Sequence, residues 1–91
     1  MSRQAECQMV LEAETKRWSA MSCEQLVSEL RDVHNYVIDI EDMRCQVETQ
    51  ILENTDEYVH VAVTVDDGRF PLAFRPLGRT FITRKGPSSP P

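Results

Sequence analysis

Five cations and three aromatic rings crowd the C-terminal part of this chain. Arg69, Arg75, Arg79, Arg84 and Lys85 interleave with Phe70, Phe74 and Phe81. Cations beside aromatic faces are what a single-stranded nucleic-acid site uses, one for phosphate charge and the other for base stacking. The competing reading makes the rings core and the cations a solvated face. Alternation favours it, because Phe70, Leu72 and Phe74 then point away from Arg69 and Arg75. The glycine-aromatic pattern of an RNA-recognition strand is also missing. The same cations can instead meet the acidic body of this chain, within one copy or between two copies.

His60 is the residue best suited to proton transfer. It lies on the polar face of an alternating run, with Gln50 expected opposite on one side and Arg75 on the other, Tyr58 two residues before it and Glu48 on a diagonal. No Ser or Cys nucleophile is placed beside it by spacing. A half-exposed sheet histidine is the plainer explanation. His34, on the flank of a helical stripe, reads as structural. Asp39, Glu41 and Asp42 form an acidic cluster that lacks the spacing and glycine of a calcium loop, so a solvated turn is expected. Cys7, Cys23 and Cys45 have no C-x-x-C spacing and no zinc pattern with the two histidines. They read as reduced apolar fillers. No nucleophile elbow, phosphate loop, dinucleotide fingerprint or H-E-x-x-H run occurs. No catalytic residue, cofactor or metal is therefore expected.

The chain has 91 residues and a formal net charge of −5. All fifteen acidic residues lie at or before Asp67, with five basic ones among them, a net charge of −10. From Gly68 onward there are five basic residues and no acid, and all the glycines and prolines lie there too. An apolar content of 41% is ordinary for a folded domain, which argues against disorder throughout. No run approaches the ~20 apolar residues of a membrane span. Met1 to Glu6 lacks the charged and apolar regions of a secretory signal, which points to the cytoplasm.

These residues need elements to position them. Ser2 to Trp18 favours helix, with Cys7, Val10, Leu11 and Trp18 on one broad face and Met9 and Ala13 beside it. Ser22 with Gln25 three residues on is a capping box, so a second helix should start at Cys23. Leu26, Leu30, Val33 and Val37 then recur at helical spacing, and the pattern can be extended through Ile40, Arg44, Val47 and Ile51 as one long helix. Against that, Arg44 spoils a core position and Cys45 to Ile51 alternates. Tyr36 to Ile40 reads either as a strand or as a helix end. Val59, Val61, Val63 and Val65 alternate without fault, the strongest strand signal here. Two strands are preferred, with Ile51 opposite Val59, Thr49 opposite Val61, Val47 opposite Val63 and Cys45 opposite Val65, around a loop at 53–57.

Asp67-Gly68 predicts a tight hairpin at 66–69, pairing Val65 with Phe70, Val63 with Leu72 and Val61 with Phe74. Pro71 disturbs that ladder. Arg75-Pro76-Leu77-Gly78 predicts a further turn and Thr80 to Lys85 a final strand.

The expected architecture is α+β. One or two N-terminal helices pack on an antiparallel β-meander of three to five strands, in a single domain over 1–86 with a disordered Pro/Ser tail at 87–91. The expected function is a small non-enzymatic protein-interaction domain that associates with itself as a homodimer or with another protein. Arg75, Arg79, Arg84 and Lys85 would supply charge and Trp18 an apolar anchor. A nucleic-acid-binding accessory protein using the basic strands is the alternative. A small-molecule binder or enzyme around His60, Gln50 and Tyr58 is the third.

Overall fold

The computed structural model describes residues 3–40, 43–66 and 77–85. In chain order these form α1 (Arg3–Ser19), α2 (Cys23–Glu29), β1 (His34–Ile40), β2 (Met43–Asn54), β3 (Tyr58–Asp66) and β4 (Leu77–Arg84). The four strands make one antiparallel sheet in the order β1-β2-β3-β4. Two helices pack on it, giving the α+β fold. Among the described residues no helix is long and apolar enough to cross a membrane.

The core follows from the two periodicities. Cys7, Val10, Leu11 and Trp18 of α1 are buried, as their helical spacing requires. They meet a completely buried row of β3 valines, Val59, Val61, Val63 and Val65. Cys45, Val47 and Thr49 of β2 complete that face. Each buried valine contributes about 1.5–3 kcal/mol through loss of water contact. Met9, expected beside the helix stripe, is exposed.

The second helix is short. Ser22 Oγ accepts from the Gln25 backbone N–H at 3.1 Å, which is the expected cap. Leu30 closes the other end by donating its N–H to the Leu26 carbonyl. Leu26 and Leu30 are buried, but Val33 and Val37 are about half exposed, which corrects the longer stripe. The reason is a competing period. Tyr36, Ile38 and Ile40 alternate onto the helix-covered side, and β1 gains a full ladder against β2. Arg44 then faces water and pairs with Asp39 at 3.1 Å.

The β2–β3 register also differs from expectation. Val47 lies opposite Val65, Thr49 opposite Val63 and Ile51 opposite Val61. This is a two-residue slip, so every side chain keeps its face. The turn is tighter than a loop at 53–57. Thr55 donates its N–H to the Tyr58 carbonyl, and its hydroxyl accepts from the N–H groups of Glu57 and Tyr58. The register breaks between Ile51 and Glu53, leaving Leu52 as an extra residue half exposed to solvent.

β3 has β2 on one side and β4 on the other. Val65 lies opposite Leu77, Val63 opposite Arg79, Val61 opposite Phe81 and Val59 opposite Thr83. The partner of β3 is therefore Leu77–Arg84, where Arg69 to Arg75 was expected; that expected segment lies outside the described residues. A proline-free strand fills every ladder position that Pro71 would have broken. Leu77 and Gly78, expected in a turn, belong to β4. Apart from Asp66, the hairpin expected at 66–69 lies outside the described residues, as do the Pro/Ser tail, Glu41 and Asp42.

Candidate functional site

The sheet divides the candidates between two faces. α1 and α2 cover one face, where the valine row lies. The other carries Asn35, Val37 and Asp39 from β1, with Arg44, Gln46, Glu48 and Gln50 from β2. β3 adds Tyr58, His60, Ala62 and Thr64, and β4 adds Thr80, Ile82 and Arg84. Most of these side chains are polar, as expected of an antiparallel sheet wetted on one side.

His60 stands on this open face, opposite Glu53 on β2 and Ile82 on β4. It was expected opposite Gln50 and Arg75. Gln50 instead faces Ala62, and Arg75 lies outside the described residues. The two-residue slip together with the extra residue at Leu52 brings Glu53, expected in a loop, opposite His60. Tyr58 donates its hydroxyl hydrogen to Glu53 Oε1 at 2.8 Å. That bond to the carboxylate raises the Tyr58 phenol above its ordinary value, and carboxylates at Glu53 and Glu57 add to it. The arrangement gives the tyrosine a partner but places no nucleophile beside the imidazole.

Trp18 is 1% exposed, so its ring belongs to the core. It offers no surface for a partner in this fold. Its indole N–H donates to the Tyr36 hydroxyl at 2.8 Å, and Tyr36 donates to Glu14 Oε1 at 2.6 Å. Arg17 donates to the same hydroxyl at 3.2 Å, with its guanidinium 4.9 Å from the Trp18 ring centre. His34 packs edge-on against both rings. Burial raises the Tyr36 phenol, and the bond to Glu14 raises it further, against smaller lowering effects from Trp18 and Arg17. Thr49 is the last of those lowering influences, yet its buried hydroxyl meets no partner in hydrogen-bond geometry. The cluster locks the C-terminal end of α1 to the edge strand β1.

The basic residues gather at the other edge. Arg79 reaches Glu12 of α1 at 3.5 Å, with both side chains about half exposed. Arg84 and Lys85 line a groove of about 750 Å³ between α2 and the end of β4. Arg31, which sequence reasoning did not single out, joins them there, together with Cys23 and Val27. Neither Arg31 nor Arg84 makes an ion pair among the described residues. Lys85 Nζ donates to Asn54 Oδ1 at 2.9 Å, a neutral acceptor. Phe81 lies opposite Val61 on the helix-covered face, turned away from Arg84. Phe70 and Phe74 lie outside the described residues.

The thiols of Cys7 and Cys45 are 3.9 Å apart in the core, and all three cysteines are unbridged. Among the described residues, no three His, Cys, Asp or Glu side chains converge as metal ligands. Comparison with known proteins adds nothing to these residues: no family, no curated protein and no solved structure matches the chain.

Proposed function

We propose that this chain is a small non-enzymatic protein-interaction domain that associates with a second copy of itself through the free edge of β1. One observation carries the reading: among the described residues the sheet ends in β1 and β4, each with an unpaired side. Free edges of this length are templates for a further strand, and helices cover only one face here.

β1 suits a second copy better than β4 does. A two-fold axis at Val37 sets this half-exposed valine against its own counterpart. The same axis sets Tyr36 against Ile38 of the partner subunit and Asn35 against Asp39 of the partner subunit. No like charges then face each other across the junction. The same operation on β4 gathers Arg79, Arg84 and Lys85 from both copies along one seam. Val37 also borders a groove of about 540 Å³ on the open face, with Gln46 and Glu48.

Sedimentation equilibrium tests the proposal. A concentration-dependent dimer is expected for the native chain, and a monomer for Val37→Asp, which faces two carboxylates at the axis. A native chain that stays monomeric at millimolar concentration contradicts it.

A further inference from the structure

We propose that the edge of β4 left unpaired among the described residues, with the groove beside it, binds an extended acidic segment of a different protein. The backbone supplies the first argument. Lys85 donates its N–H inward to the Glu57 carbonyl. In an antiparallel ladder successive residues alternate sides, so the N–H and C=O groups of Arg84, Ile82, Thr80 and Gly78 point outward. These are ladder positions for an added strand, the commonest way a sheet takes an extended peptide.

Charge supplies the second argument. Arg79 and Arg84 lie on the strand, Lys85 follows it, and Arg31 approaches from just beyond α2. Among the described residues, Glu24 is the one acid lining the groove, against Arg31, Arg84 and Lys85. Arg79 alone of the four cations has an acidic partner among the described residues, a long and half-exposed contact to Glu12 that adds little stability. An incoming carboxylate therefore displaces no strong pair. Val27 and Cys23 give the groove an apolar wall, and the Cys23 thiol is held by donating to the Thr83 carbonyl at 3.3 Å. An alternating acidic and apolar segment matches both features. Steering by opposite charge would also make its association fast and sensitive to salt.

Two other occupants fit less well. A single strand of nucleic acid needs rings free to stack beside the cations; Phe81 lies on the opposite face from Arg84, and Tyr58, which does stand opposite Arg84, is bonded to the Glu53 carboxylate, which repels phosphate. A second copy docking edge to edge on β4 would bring its own Arg79, Arg84 and Lys85 to the same place. β4 and β1 are opposite edges, so acidic-peptide binding and self-association stand or fall separately.

The test is fluorescence anisotropy on the full chain. The probe is a labelled octapeptide alternating glutamate and valine. A peptide with lysine for glutamate and a labelled oligothymidylate serve as comparisons. Saturable binding of the acidic peptide, weakening as salt rises, is expected, with no binding of the lysine peptide. Exchanging Arg84→Glu and Lys85→Glu together should weaken it at least about tenfold, and Arg31→Glu by a smaller factor. The milder pair Arg84→Gln and Lys85→Gln should show the same trend, with an unchanged thermal melt proving that the fold survives. Val37→Asp should bind the acidic peptide as the native chain does. Failure of the acidic peptide to bind overturns the proposal. So does equal binding of the lysine peptide, tighter binding of oligothymidylate, or full affinity in the folded double variants.

Discussion

A single oxygen on Tyr36 ties the helix layer to the edge strand. It accepts from Trp18 and Arg17 and donates to Glu14. Tyr36→Phe leaves the buried indole N–H without an acceptor, which should cost about 1–3 kcal/mol in a urea titration. The same oxygen sets an alkaline limit. Its folded-state value is raised, so the neutral phenol is the form the fold favours. That contribution is complete below the ordinary tyrosine value of 10.0 and is lost as pH rises through the higher folded-state value. Native protein should therefore lose more stability above pH 10 than Tyr36→Phe does, read as the shift of the urea midpoint. Thr49 tests the opposite situation. Its hydroxyl is buried in the valine layer without a partner, so Thr49→Val should raise stability by up to about 1 kcal/mol.

α2 depends on its cap because it is only seven residues long, too short to hold by propensity. Ser22→Ala should cost about 1 kcal/mol, seen as a lower melting temperature with loss of helical circular dichroism. The cap was legible in the sequence, as were the buried face of α1, the β3 valines and the polar face opposite them. Each rests on contacts within one element. What was not legible depended on competition between elements. The Leu26-Leu30-Val33-Val37 spacing is a true helical pattern, but a ladder with β2 outweighs its second half. The β2–β3 register was missed by two residues because an even slip preserves every face, and hydrophobic pattern alone cannot see it. The hydroxyl of Thr55 and the extra residue at Leu52 decide it instead. The candidate site suffered accordingly. Glu53 and Arg31 come to the functional surfaces through a register and a helix end, neither of which has a sequence motif. Arg84 and Lys85 were visible beforehand because charge patterning needs no register.

At the scale of the molecule, the charge divide of the sequence becomes a difference between two edges. β4 is bordered by Arg79, Arg84 and Lys85, whereas Asp39 on β1 is already neutralised by Arg44. On the proposals made above, the edges take different partners, β1 a second copy and β4 an acidic segment. Charge alone would not separate them, since exposed ion pairs contribute only about 0–1 kcal/mol. The geometry of strand addition does, because each edge accepts only a strand whose facing side chains it can tolerate. Crosslinking reads the proposed two-fold junction at Val37. With Cys23→Ser removing the partly exposed native thiol, Val37→Cys should give a covalent dimer under mild oxidation, since directly opposed positions in an antiparallel pair lie within disulfide reach. Ile82→Cys on β4 should give none. No crosslink at Val37→Cys, or equal crosslinking at both positions, would contradict the account.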